Sequence, residues 1–349
     1  MLELSKVMSG HRRASACQLL VPSRSSLIIN GINSRGARTD ASPGRQQVSA
    51  TDATRSAEFD AFGPWVDEVR TAGEVPGLYR DYRVDFDASR IVLKIPRNIS
   101  RRDALPTMDL YDHLIIAAPQ ALIVLSRGVD TYSESSIAYG DIVAVADTVD
   151  LVEGRLSILA RSGRTHTVPY NGSSQQVMTR FTDVLAELSL AVVRPTPAVV
   201  FPATDSRPSL DLLDLGKQDV GLVTAYFDLT RHEFGATLLA AHGRTGLDPL
   251  GGVLRRAMHV LYPMTLHGAV LCRTEHALHI LGRKAWLVRG NAPDLSRSHT
   301  TIPLAAIEKI SVATHPTYRA AVILTLHSGQ ARFDVILPES SAAQRALTG

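Results

Sequence analysis

The sequence predicts a mainly β chain made of two similar units, each a small barrel or sandwich of short strands closed by one helix. Three observations carry this expectation. Short runs rich in Ile, Val and Leu recur with turn residues between them, the pattern of sheets rather than of long helices. The same order of runs occurs twice along the chain. Each set ends in a helix start, Ser173-Ser174-Gln175-Gln176 and Ser341-Ala342-Ala343-Gln344, with Ser at the cap and Gln three residues on.

In the first unit the strand candidates are Arg90–Ile95, Leu114–Ala117, Leu122–Leu125, Ile137–Val145, Leu156–Ala160 and Thr165–Val168. Behind its helix start, Val177, Met178, Phe181, Val184, Leu185 and Leu188 fall on one helical face, which needs an apolar surface to cover. In the second unit the candidates are Ala269–Cys272, Ala277–Leu281, Thr301–Val312, Ala321–Leu326 and Ala331–Ile336. Few residues follow Gln344, so that helix is short.

The units align residue by residue. Met108–Arg127 lies over Met264–Arg283, with Met108/Met264, Leu110/Leu266, Ala121/Ala277, Leu122/Leu278, Leu125/Leu281 and Arg127/Arg283 identical. Further on, Ile137, Ile142 and Val145 meet Ile302, Ile307 and Ile310, and Ser162-Gly163 meets Ser328-Gly329. The offset drifts, as loop insertions in a diverged duplication require. Pro195, Pro197, Pro202 and Pro208 mark a linker, because proline at that density continues neither helix nor central strand. The expected organisation is a basic disordered tail over 1–57, a first unit with an N-terminal helical segment over 58–193, the linker over 194–208 and a second unit over 209–349.

Ala277–Arg283, Ile302–Ile310, Ala321–Leu326, the Ser328-Gly329 turn and the final helix together resemble a bacterial pleckstrin-homology-like (PH-like) domain. The first unit resembles it through Leu122–Arg127, Ile137–Ile142 and Gly154–Leu159. The resemblance implies two PH-like β-barrels, each seven-stranded, strongly bent and closed by a C-terminal helix. It covers a pattern of strands and no catalytic signature, so function does not transfer with it. Phe59–Arg90 and Leu210–Arg255 fall outside the pattern and are read as missing strands or added helices at the domain junction.

Composition narrows the classes. The chain has 349 residues, 45% hydrophobic and 20% charged, an ordinary globular composition long enough for a sizeable core. Cys17 and Cys272 are its two cysteines, too few for a disulfide framework. The longest apolar run, Leu114–Leu125, contains Pro119 and Gln120 and is too short for a membrane helix. The net charge of +3 is unevenly placed: residues 1–57 hold eight Lys/Arg against three acids, so the body is slightly acidic. A body without a broad basic field argues against nucleic acid. The tail, free of aromatics and rich in Ser and Arg, cannot offset its ordering entropy. Its composition resembles a transit peptide, but the simpler expectation is an untargeted extension or a start placed too far upstream. Cytoplasmic residence is expected from the lack of a signal segment and the sparse cysteine.

Catalytic constellations are missing. His232-Glu233 lacks the second metalloprotease histidine, and His276 and His279 are an odd number apart on a strand, so they face opposite ways. No phosphate loop or nucleophile elbow is present. Asp211 and Asp214 sit among Leu210, Leu212, Leu213 and Leu215, which reads as the solvated face of an amphipathic helix after Ser209. No cofactor and no metal is expected. One basic cluster remains in the body: Lys94, Arg97, Arg101 and Arg102. In a PH-like barrel, cations on early strands and loops can surround an anionic headgroup, each contributing about 1 kcal/mol near a surface. The bland alternative is a solvated loop balanced by Asp103 and Asp109. The leading expectation is a non-enzymatic scaffold or interaction module that binds a protein partner, with exposed strand edges as its means. An anionic membrane surface or ligand at the basic cluster comes second, and an enzyme with an unrecognised site third. The oligomeric state stays open.

Overall fold

The structure is a computed structural model, and it describes residues 56–192, 201, 210–233, 235–251, 263–290 and 293–348. All of these belong to one compact unit, Asp52–Gly349. The expected tail lies outside the described residues except for Ser56 and Ala57, and the expected linker does so except for Phe201.

The protein is mainly β, with four sheets and no sheet closed on itself among the described residues. The first half opens with a short helix α1 (Ala57–Ala61), begun by Ser56, whose Oγ accepts from Phe59 N–H at 3.1 Å. Strands β1 (Asp67–Glu68), β2 (Ile91–Pro96), β3 (Tyr111–Ala117), β4 (Ala121–Arg127) and β5 (Tyr132–Ala138) form an antiparallel sheet in that order. A 3-10 corner, Tyr139–Asp141, leads to β6 (Ile142–Asp150), β7 (Glu153–Ala160) and β8 (Thr165–Asn171), followed by helix α2 (Gln175–Ala191). Its apolar face enters the core as the spacing predicted: Met178, Phe181 and Leu185 are fully buried against Leu93, Ile115, Leu122, Val145, Leu156 and Ile158.

The second half carries the same order. Helix α3 (Val220–His232) precedes β9 (Thr237–His242); β12 (Ala269–Arg273), β13 (Ala277–Gly282) and β15 (Arg297–Pro303) complete four strands. A 3-10 corner at Leu304–Ala306 leads to β16 (Lys309–Thr314), β17 (Ala321–Ser328), β18 (Ala331–Pro338) and a last helix, α4 (Ala342–Thr348). Its core joins Leu271, Leu278, Ile280, Ile302, Leu324 and Val335 to Ala343 and Leu347 of α4. Inserted strands β10 (Thr245–Leu247), β11 (Met264–Leu266) and β14 (Leu287–Arg289) make a separate small sheet.

The two segments outside the repeat pattern serve as covers. Residues 59–90, mostly turns, lay Phe62, Val69, Val75 and Tyr79 on the outer face of β2, β3 and β4. Those strands are thus buried on both faces, and their sequences read as continuous rather than alternating apolar runs. Residues 210–251 supply α3, which covers β12 and β13 through Leu222 and Val223, and β9, the second half's first strand.

The sequence expectations need three corrections. The single strands expected over Ile137–Val145 and Thr301–Val312 are each two strands joined at a 3-10 corner. Apolar residues continue through both corners, since Tyr139 and Ile142, like Leu304 and Ile307, face the interior, so hydrophobicity alone hides the bend. The corners are pinned by the Tyr139 hydroxyl donating to Ala118 O at 2.5 Å and by Leu304 N–H donating to His276 O at 2.8 Å. The helix expected over Leu210–Leu215 is a turn: Asp214 Oδ2 accepts from Asp211 N–H at 2.7 Å, and Gly216 ends it at φ 82°. Finally, Ser173 does not cap α2. Ser174 stands at that cap and its Oγ accepts from Val66 N–H at 2.9 Å. The second helix start keeps its serine cap, since Ser341 Oγ accepts from Gln344 N–H at 3.1 Å, but Gln344 Oε1 accepts from Ser340 N–H at 2.6 Å rather than from the cap residue, so the box is only half formed.

Candidate functional site

The four basic residues singled out in the sequence lie around one end of β2, each with its own partner. Lys94 on β2 places Nζ over the Tyr111 ring, 5.1 Å from its centre. Its charge also draws down the Asp67 carboxyl, whose pKa is nevertheless raised by burial. Arg97 donates to Asp109 O at 3.1 Å and lies 3.9 Å from Asp112 Oδ1. Arg101 donates to the carbonyls of Phe59 and Phe62 and stacks over the Phe59 ring at 4.3 Å. Arg102, 87% exposed, is 3.7 Å from Asp103. The structure gathers these residues in one region but spends Arg101 on holding α1 and Arg97 on an acid.

The histidine-rich half contains two buried polar groupings that sequence reasoning did not assemble. Beneath the helices, His279 Nδ1 and His299 Nε2 are 3.2 Å apart on neighbouring strands β13 and β15. Burial and then the neighbouring imidazole push His279 down to about 3. Burial alone pushes His299 down to about 4. Such a pair is neutral at ordinary pH and shares at most one proton between its facing nitrogens. Beside α3, Asp219 is fully buried and its Oδ1 accepts from Arg283 Nη2 at 2.8 Å. Arg244 reaches the same oxygen at 3.5 Å, and His267 Nε2 is 3.2 Å from Asp294 Oδ2. Arg283 also donates to Ser296 O at 2.7 Å and Gln218 O at 2.8 Å. These groups tie α3, the turn after β9 and the loop after β14 to β13, which is a structural task. Among the described residues no three His, Cys, Asp or Glu side chains gather to hold a metal ion.

The remaining feature is an arrangement of strand edges. The outer edge of β6 pairs with β15, from Val145 opposite Thr301 to Val149 opposite Arg297. This joins the two halves in one seven-stranded sheet, β8-β7-β6-β15-β13-β12-β9. Thr148 and Ser298 hydroxyls bond across it at 2.9 Å, and Lys284 pairs with Asp150. Next to it the β7–β8 turn meets the β17–β18 turn: Gln330 N–H donates to Arg161 O at 2.9 Å and Arg161 pairs with Glu308. Gly163 and Gly329 sit at φ 82° and 56° in these turns, and a Cβ on Gly329 would lie 2.7 Å from Arg161 Cγ, so the contact requires glycine there.

The corresponding edges elsewhere are open. β5 ends its sheet, paired only with β4, and β16 ends its own, paired only with β17, among the described residues. Between the β5 edge and the β7–β8 turn runs a groove of about 280 Å³, lined by Glu134 to Ala138, Asp141, Ala160, Ser162, Arg164 and His166. Its lining is polar and carries both signs of charge. The edge of β5 bears one charge, Glu134, and from Ile310 to Thr314 β16 bears none; the central Val312 is 40% exposed. Natural edges are commonly blunted by charge, proline or cover, and these two are lightly protected. The sequence showed Tyr132–Ser136 as polar and unremarkable, so neither the strand nor its edge was visible there.

Compared with protein-family models, curated proteins and solved structures, the chain matches none. No helix among the described residues is long and apolar enough to cross a membrane.

Proposed function

We propose that the protein is a non-enzymatic interaction module of two duplicated PH-like units, and that it binds a protein partner by taking an extended segment onto the β5 edge. The repeated order of four strands, 3-10 corner, three strands and helix supports the PH-like reading. One observation carries the binding reading: β5 runs unpaired beside an open groove, while β15, in the same place in the second half, is occupied by β6. A strand added at an edge gains main-chain hydrogen bonds, and the groove's side chains select among sequences. The polar lining favours a segment of Ser, Thr and charged residues alternating with small apolar ones.

The test is selection of displayed peptides on the full chain, followed by titration of the winners. Binding should fall at least tenfold in Ser135→Arg, which fills the groove from a half-buried position. Failure to select any extended peptide, or equal binding to Ser135→Arg, would overturn the reading.

A further inference from the structure

We infer that the segment taken up by β5 is the β16 edge of a second copy of this chain, so that molecules join head to tail. The inference rests on the strand-accepting role proposed for β5 and names its occupant. The joint between the two halves is the template. In it the first half donates β6 and the second half accepts with β15. By the residue matches Ile142/Ile307 and Ile137/Ile302, the second half's donor is β16 and the first half's acceptor is β5. One donor and one acceptor are therefore used inside each chain, and one of each is left over.

The arrangement also excludes closure within one molecule. Halves related by a two-fold axis would pair β5 with β16 in the same chain, just as β6 pairs with β15. They are not paired, so the joint is heterologous, and repeating it builds a ring or a filament. The groove occupies the place beside β5 and the β7–β8 turn that β6 and Arg161 fill beside β15 and the β17–β18 turn. Charge does not oppose it: the only charge on β16, Lys309, would enter a groove bearing two acids, Glu134 and Asp141, against one arginine, Arg164. One element is not reproduced. Val143 stands where Glu308 does, so the counterpart of the Arg161–Glu308 pair is missing and the joint between chains is weaker than the joint within one.

Carrying the register of β6 and β15 across places Ser135 opposite Ser311 and Glu134 opposite Val312. Both positions on β16 are at least partly exposed, so substitution there leaves the core intact. Sedimentation of the full chain should show mass rising with concentration above the 37.8 kDa monomer. Val312→Glu should weaken association at least tenfold by facing Glu134, and Glu134→Lys in the same chain should restore it. In a Cys17→Ser background, Ser135→Cys with Ser311→Cys should give a ladder of disulfide-linked oligomers on oxidation. A chain that stays monomeric throughout, or a Val312→Glu variant that assembles as well as the parent, would overturn the inference. Selected peptides still binding at β5 of such a monomer would leave the strand-accepting role standing. Loss of both would remove both.

Discussion

Asp219 shows how a residue can be decisive and invisible in the sequence. It is fully buried, and the guanidinium it depends on comes from Arg283, 64 residues further along the chain. Truncating one partner of a buried pair leaves the other charge uncompensated, at a cost of about 3–5 kcal/mol. Asp219→Ala should lose stability on that scale in chemical denaturation, and a loss below about 1 kcal/mol would show that the pair is not holding the second half together. The His279–His299 pair adds a pH dependence of defined sign. Both imidazoles are neutral in the folded chain because burial depresses them to about 3 and about 4, whereas the unfolded chain takes up protons near 6.5. Their contribution is therefore complete above about pH 6.5 and is lost as pH falls through that window toward 4 and 3. Half-buried His113 and His242 and buried His267 shift in the same direction, again through burial. Thermal melts should fall steadily from pH 6.5 to 4, and His299→Leu should flatten part of that fall; an unchanged slope would rule the pair out as its source. The sequence drew attention to Lys94, Arg97, Arg101 and Arg102 because they are neighbours along the chain. The buried groupings join residues from separate strands and loops, and the one clue to them was the match of Arg127 with Arg283. Each of these arginines does hold an acid, Asp112 and Asp219 respectively.

At the scale of elements, what was legible followed from burial. Strands β7, β8, β17 and β18 alternate buried and exposed residues, and α2 presents one apolar stripe, so periodicity located them. The corners after β5 and β15 were not legible, because buried apolar residues flank each bend, Tyr139 and Ile142 at the first and Leu304 and Ile307 at the second. β5 itself, Tyr-Ser-Glu-Ser-Ser-Ile-Ala, has one buried position and no pattern to read. The short α4 depends on its cap: Ser341 Oγ and Gln344 hold its first turn, and Ala343 and Leu347 close the core. Ser341→Ala should cost about 1 kcal/mol in urea unfolding, whereas Ser173→Ala, away from the cap of α2, should cost much less. Equal losses at the two positions would contradict this difference in capping.

At the scale of the molecule, the continuous sheet makes two similar halves into one body. A proline linker suggested independent units, but five residue pairs across β6 and β15, the turn-to-turn contact and the Lys284–Asp150 pair cross the boundary. Pairing between distant strands leaves no periodic signature in either sequence, which is why the boundary looked clean. Calorimetry of the full chain should show a single transition whose calorimetric and van't Hoff enthalpies agree. Two resolved transitions would mean that the joint is too weak to couple the halves.

The β6–β15 pairing also sets a timetable during synthesis. β6 ends at Asp150 and β15 begins at Arg297, so at about 5–20 residues per second the ribosome makes the second strand roughly 7–30 s after the first. For that interval the first half can fold while its β6 edge has no partner from its own chain. On a crowded message, the β15 of a neighbouring ribosome further along is the first to arrive, and exchange of strands between nascent chains becomes the characteristic error that the cell must prevent.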